Sequence, residues 1–380
     1  MSFAQFYTNE IVSEHLVSLM KSKSPANILD IGCGEASLLL AAGKRWKSAN
    51  LIGFDIDPNN IKSFNKKLQL DTGDGLDPDL SKKILDLFGP IDIAVSNPPY
   101  LSINFERRAK NILSEAGLSD VISKKMKVIP AELVFLAQNL LVMKKAGELG
   151  VILPAGFISG ERWKPLREFI ISEYSINSCV QLPNDAFKNT EASTFALYLK
   201  NEKNESKKIK LHQLGHEKIQ LIDDESAIDR MDYSYYSYMS SDQSDKNVFN
   251  QFELNEIFRG NVSEANLSCS GIKYLHTSDL NEDYKLLSSR YYSISDDMRY
   301  AEKGDILIAR VGSRCVGNFG YVEYGRLPIS DCVFVLRSTD NLKLWQLIKA
   351  NNIGDRLKSS SLGVGAKYIT KKMLKDIFNG

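Results

Sequence analysis

Residues 26–37, Ala26-Asn27-Ile28-Leu29-Asp30-Ile31-Gly32-Cys33-Gly34-Glu35-Ala36-Ser37, decide the fold class. An apolar run meets two glycines one residue apart and passes into Leu38-Leu39-Leu40, the order of a buried strand, a tight turn and a helix. Asp30 stands at the carboxyl end of the strand, and Gly32 and Gly34 let backbone approach a ligand closely. Ser37 occupies the place of the third glycine of a G-x-G-x-x-G, so a pyrophosphate loop is the weaker reading. Further along, Leu51-Ile52-Gly53-Phe54-Asp55-Ile56-Asp57-Pro58 is a second strand ending in acids, suited to the hydroxyls of a ribose. Asp71-Thr72-Gly73-Asp74-Gly75 brings one more acid to a loop. Taken singly, each acid reads as solvated loop decoration. Together, Asp30, Asp55 and Asp74 mark a crevice along one edge of an open parallel sheet.

A fourth signal follows in order. The apolar run Ile91–Ser96 ends at Asn97-Pro98-Pro99-Tyr100. The prolines lack backbone donors, so the Asn97 amide oxygen and a prolyl carbonyl can face one pocket and hold a planar amino group. Tyr100 adds a flat surface for the ring that bears this group. By itself, Pro-Pro-aromatic after a strand is an ordinary turn, and its place in the series favours the sharper reading.

At these residues the chain resembles the class I methyltransferases that use S-adenosyl-L-methionine, and more narrowly the gamma-ordered, TaqI-like N6-adenine DNA methyltransferases, over residues 1–200. The resemblance implies an α/β fold with a class I (Rossmann-like) methyltransferase domain. It implies that Phe6-Tyr7-Thr8 closes over the methionine end of the cofactor, with Asp30, Gly32 and Gly34 around the methionine moiety. Asp55 would bind the ribose, Asp74 the adenine amino group, and Phe135 would pack on that adenine. Asn97, Pro98 and Tyr100 form the catalytic turn, and Phe187 the second face of a sandwich around a flipped-out target base. Phe135 shares a helical stripe with Leu133, Leu136 and Leu140 and also reads as core. Phe187 follows Asp185 and precedes Lys188, which makes core packing less natural.

Beyond Leu199 the pattern changes. Asn201–Lys208 reads as linker and the Tyr/Ser-rich stretch 232–244 as another connection, giving domains 1–200 and 245–380 with 201–244 between them. Lys303–Arg310 and Asp331–Arg337 read as strands, and Asn341–Ala350 as a helix. Gly271–Leu275, Ser278–Leu280, Gly304–Arg310, Ile329–Asp331 and Gly363–Ile369 resemble the target-recognition domains of type I restriction specificity subunits. This implies a smaller α+β target-recognition domain on duplex DNA. Arg310 and Arg314 bracket Val311-Gly312-Ser313 and are candidates for groove or phosphate contact, or two surface arginines beside a turn.

Composition is permissive. The 380 residues leave room for two domains, and 43% hydrophobic with 25% charged is ordinary globular usage. Lys plus Arg number 48 against 47 acids, so any basic surface for nucleic acid must be local. Candidates are Arg107-Arg108 with Lys110, and Lys124-Lys125 with Lys127, runs that also suit a solvated face. The polar start and the lack of a long apolar stretch point to the cytoplasm and no membrane. Five cysteines without a C-x-x-C pair suggest neither disulfides nor zinc. His212 and His216 have metal-like spacing, but Gly215 weakens a helix there and no third ligand stands nearby, so they read as unrelated surface residues. No nucleophile elbow or P-loop occurs.

The expectation is a site-specific DNA adenine-N6 methyltransferase that flips its base, needs no metal and serves restriction-modification or phage defence, with a cognate restriction endonuclease as candidate partner. RNA and protein-glutamine methyltransferases share the tetrapeptide, since adenine amines and glutamine amides are both planar. A non-catalytic specificity or adaptor subunit is the remaining alternative.

Overall fold

The apolar runs become strands in a computed structural model of the chain, which describes residues 8–61, 68–123, 125–183, 186–187, 193–203, 208–241, 254–280, 285–291, 297–363 and 366–378. The protein divides into two units, Met1–Tyr233 and Ser234–Gly380.

Strands of the first unit are β1 Asn27–Ile31, β2 Asn50–Asp55, β3 Leu68–Thr72, β4 Ile91–Ser96, β5 Ser102–Asn104, β6 Val128–Pro130, β7 Met143–Pro154, β8 Ser175–Gln181, β9 Thr194–Lys200, β10 Ile209–Gln213 and β11 Gln220–Ile222. Its helices are α1 Glu10–Leu19, α2 Ser37–Arg45, α3 Leu80–Phe88, α4 Arg107–Glu115, α5 Ala131–Val142, α6 Ala155–Ser159, α7 Lys164–Glu173 and α8 Asp224–Asp229. All strands except the β5–β6 pair join one nine-stranded sheet, in the order β11-β10-β8-β9-β7-β4-β1-β2-β3. From β3 through β7 the neighbours are parallel, and β9 lies antiparallel between β7 and β8. The chain moves outward from β1 to β3, then returns to β4 on the other side of β1. That reversal opens a crevice at the carboxyl ends of β1 and β4. Both strands are buried almost throughout, which is why they are continuous apolar runs rather than alternating ones. This is the expected α/β, class I arrangement.

Asn9 starts α1 by accepting a hydrogen bond from the Val12 N–H at 2.9 Å. The buried Val12 and Leu16 of α1, with Met20 just past its end, pack with Leu39 and Ala42 of α2 against Ile28, Ile93 and Ile152 of the sheet.

The connection expected over 201–244 is more structured than its polarity suggests. Ile209 and Leu211 alternate into the core, so 209–213 adds β10 to the sheet beside β8, and β11 pairs with it. Asp223 caps α8 through the Ser226 N–H at 2.9 Å. The Tyr/Ser-rich stretch forms a helix, α9 Tyr233–Ser241.

The second unit contains α10 Glu264–Ser270, α11 Asn341–Ala350, α12 Ile353–Ser360 and α13 Lys371–Phe378. Its strands are β12 Leu254–Arg259, β13 Lys285–Tyr291, β14 Tyr300–Glu302, β15 Ile306–Ala309, β16 Phe319–Pro328 and β17 Val333–Ser338. They form a six-stranded sheet, β12-β17-β15-β16-β13, with β14 on β16. The period-two rule sorts its faces: Ile306, Ile308, Phe334 and Leu336 pack on Trp345, Ile348 and Leu374, while Leu307, Ala309, Val333 and Val335 pack on Leu275, Leu280 and Leu327. The unit is a smaller α+β body. Among the described residues no helix is long and apolar enough to cross a membrane.

Candidate active site

The β1–α2 turn is built on glycine. Gly32 and Gly34 have φ of +77° and +53°, in the left-handed region that favours glycine. The Gly32 and Cys33 N–H groups donate to the Phe54 carbonyl at 2.7 and 3.0 Å, tying the turn to the end of β2. From β2, Asp55 reaches back: its Oδ2 accepts the Gly34 N–H at 2.8 Å, and its Oδ1 accepts the Asp57 N–H at 2.8 Å and the Asn60 amide at 3.2 Å. Asp30, 2% exposed, has an Oδ1 without a hydrogen-bond partner among the described residues. Burial, and then the Asp55 carboxylate, push the Asp30 carboxyl well above the usual range.

Helix α5 supplies the opposite wall. The Gln138 amide donates to the carbonyls of Gly75 and Asp77 at 3.2 and 2.7 Å, holding the loop that bears Asp74. One turn earlier, Phe135 lies against two glycines. A Cβ at Gly32 would fall 3.0 Å from the ring, and one at Gly75 only 2.3 Å from it. The ring is 6% exposed, packed as the core reading has it, and is among the residues that line the cavity.

The Asn97 turn closes the remaining side. The Asn97 side-chain N–H donates to the Thr8 hydroxyl at 3.0 Å, and its Oδ1 accepts the Tyr100 hydroxyl at 3.1 Å. The Leu101 carbonyl accepts the Ala131 N–H at 2.9 Å, so the turn is fastened to the start of α5. Pro99 O accepts the Leu101 N–H at 3.1 Å, while the Pro98 carbonyl accepts no hydrogen bond among the described residues.

The structure thus brings Thr8, Asp30, Gly32, Gly34, Asp55, Asp74, Asn97, Pro98 and Phe135 to one cavity of about 230 Å³. Tyr7 and Lys124 lie outside the described residues. Arg107 and Arg108 on α4, and Lys125 after it, are exposed and do not line this cavity. Arg310 and Arg314 belong to the second unit, where Arg310 donates to the Asp331 carbonyl at 2.9 Å.

Two readings need correction. Phe187, expected as the second face of a sandwich, does not present a face parallel to Tyr100 in this structure. It is 3% exposed and packs in the core cluster with Leu182 and Ala186. A stacked base needs parallel faces about 7 Å apart, twice a contact distance of about 3.5 Å, whereas the Tyr100 and Phe187 rings meet edge-to-face at 80° with centroids 6.5 Å apart. The apolar Leu182 and Ala186 bury the ring despite its charged sequence neighbours. His212 is likewise not an isolated surface residue. On β10 it meets His15 of α1 edge-on at 5.6 Å, and burial lowers the basicity of both rings.

One residue went unnoticed in the sequence. Glu132, on the first turn of α5, is 4% exposed, and its Oε2 has no partner among the described residues. Burial raises its carboxyl to about 7. The Tyr100 phenol is held well above its usual range by its own burial and then by Glu132. Its only sequence signal, an acid just after Pro130 at a helix start, is that of ordinary helix-dipole complementation.

Comparison with known proteins adds the family. The curated release factor glutamine methyltransferase of Fusobacterium nucleatum is 36% identical over 96 residues, 24% of this chain and 27% of that protein. The type I restriction enzyme MpnII methylase subunit of Mycoplasma pneumoniae is 26% identical over 235 residues, 54% of this chain and 41% of that protein. The chain thus spans less than half the length of either. Among solved structures, the type I restriction-modification system methyltransferase subunit from Streptococcus thermophilus is 20% identical, with TM-score 0.47, covering 64% of this chain and 54% of that one. Residues 2–295 match the family described as N-6 DNA Methylase, well over half the sequence and reaching into the second unit. The chain belongs to the N-6 DNA methylase family.

Proposed function

We propose that the protein is a site-specific DNA adenine-N6 methyltransferase of the gamma order that uses S-adenosylmethionine, with the second unit reading the DNA. The observation that carries the reading is the Asn97 turn, held by hydrogen bonds to Thr8 and Tyr100 and lining the same cavity as Asp30, Asp55, Asp74, Gly32 and Gly34. The cavity suits the cofactor. The orphaned Asp30 Oδ1 and the carboxylates of Asp55 and Asp74 favour a ligand with cationic sulfonium and ammonium groups. The Phe135 ring beside Gly32 and Gly75 suits its adenine, and the acceptor site left on Asp55 Oδ2 suits a ribose hydroxyl. When bound, this group supplies an electrophilic methyl.

The chain's own residues would do the rest. Asn97 Oδ1 and the Pro98 carbonyl accept the two hydrogens of the target amine, drawing its lone pair out of conjugation with the ring. Tyr100 offers a face for the base, and buried Phe187 buttresses Tyr100 edge-on. Extruding the adenine costs a few kcal/mol, which stacking on one aromatic face offsets by about 1–3 kcal/mol. Catalysis by positioning follows, since no proton need leave before the methyl arrives. Similarity to the release factor enzyme favours one second reading, transfer to a glutamine amide, which the same two acceptors could hold. A restriction-modification setting, with a cognate endonuclease as partner, accords with the restriction methylase relative.

Asn97→Ala tests the turn. Methyl transfer should fall by at least about a thousandfold, roughly 4 kcal/mol, while cofactor affinity measured by calorimetry stays within about twofold, roughly 0.4 kcal/mol. Turnover at the parent rate would remove the turn from the chemistry.

A further inference from the structure

Arg337 of the second unit is held by carboxylates. Asp305 holds its guanidinium at 2.8 Å, Glu256 at 3.3 Å and Glu302 at 3.6 Å. Four other cations make no ion pair among the described residues: Arg259 ending β12, Arg299 before β14, Arg310 after β15, and Lys371 opening α13. They come from four separate segments, yet all four line one groove of about 530 Å³, together with Tyr368. Past Arg259 and Arg299 the groove continues into a second hollow of about 660 Å³ that adds the polar side chains of Asn261 and Ser263. Two carboxylates stand on these walls. Glu256 is bound by Arg337, which leaves Asp331 against four cations. The Arg299 guanidinium is held in place, donating to the Arg259 carbonyl at 3.2 Å with the Phe258 ring 5.8 Å away.

Uncompensated charges of one sign repel one another, and their gathering is stabilised by an anion that neutralises several at once. Four cations from separate segments, on two hollows that share Arg259 and Arg299 and add the amide of Asn261 and the hydroxyl of Ser263, fit a chain of single negative charges better than one compact ion. We propose that this groove holds the sugar-phosphate backbone of duplex DNA, so that the second unit meets its substrate on the face bearing Arg259 and Lys371. The choice of DNA rests on the methyltransferase reading above. The face itself rests on the charge arrangement.

The test uses the full chain and a fluorescently labelled random-sequence DNA duplex, with anisotropy followed over a salt series. Arg259→Gln with Lys371→Gln removes two exposed side chains that make no hydrogen bond among the described residues, so the fold should survive, as a melting curve would verify. The parent should bind with log affinity falling linearly with log salt. The double variant should lose about two from the magnitude of that slope and weaken on every sequence alike, with cofactor affinity unchanged. A melting temperature lowered by the pair would move the test to Lys371→Gln alone, with a slope change of about one. An unchanged slope would overturn the groove while leaving the DNA reading intact. A parent that binds no duplex, or prefers single-stranded RNA of the same sequence, would overturn both.

Discussion

Asn97 shows how much a single side chain is asked to do. Its amide bridges Thr8, before α1, and Tyr100, beyond β4, so two distant pieces of chain set its orientation before any substrate arrives. The neighbouring Asn9 amide donates to Ala186 O at 3.1 Å, bringing the segment that holds Phe187 to the same anchor. Gly75 is as constrained by space as Asn97 is by hydrogen bonds. Gly75→Ala would push a methyl to 2.3 Å from Phe135. The variant should lose about 1–3 kcal/mol of stability, the range for overpacking, and bind S-adenosylmethionine more weakly, whereas adding Phe135→Leu should recover part of both. Thermal melts and calorimetry with unaltered values would show that the ring can move freely. Glu132 makes a pH prediction. Its folded-state value of about 7 lies above the usual 4.5, so its neutral form fits the fold without penalty at low pH. Stability is lost as pH rises from 4.5 through 7, by about 3 kcal/mol in total. Glu132→Gln should therefore gain on the parent by about that amount between pH 4 and pH 8 in denaturant titrations, and a gap independent of pH would refute the assignment. Asp30 and Asp55 were legible in the sequence because each stands in or at the end of an apolar run with a glycine two residues away, and Asp74 because it lies between Gly73 and Gly75. Glu132 was not, since the same residue suits any helix start, and neither was the burial of Phe187, decided by neighbours distant in sequence.

At the scale of elements, strands with strong periodicity were legible and weakly apolar ones were not. β1, β2, β4 and β15 appear within a residue or two of their apolar runs, and α11 spans the ten residues read as helix. β10 and β11 were invisible because five and three residues carry too little pattern, and tertiary pairing with β8 decides their state. Arg167 of α7 explains why the following α8 belongs to the first unit. It is 1% exposed and donates to four carbonyls: Phe157 at 3.1 Å, Gly160 at 2.9 Å, Ile228 at 2.7 Å and Asp229 at 2.8 Å. Burial lowers its basicity only to about 10, so it stays charged at neutral pH. Arg167→Ala leaves four acceptors without their donor, and with buried orphans costing about 1–3 kcal/mol each before water relieves some, the loss should reach about 3 kcal/mol or more. Limited proteolysis should then cut near Ile228 first. Resistance equal to the parent's would mean that α8 is held by other contacts.

For the whole molecule, a near-neutral charge balance hid the distribution that matters. The 48 basic and 47 acidic residues cancel in the total, yet the second unit gathers unpaired cations along one groove that no linear stretch of sequence displays. Of the two units, Met1–Tyr233 holds the cavity and Ser234–Gly380 the groove. The central claim is that the Asn97 turn delivers a methyl group to adenine in DNA. The most direct measurement incubates the full chain and its Asn97→Ala variant with S-adenosylmethionine carrying an isotope-labelled methyl, in a mixture of duplex DNA, RNA and protein, and locates the label by mass spectrometry. The account predicts labelled N6-methyladenine in the DNA with the parent and none with the variant. Label in RNA or on glutamine, or equal labelling of DNA by the variant, would contradict it.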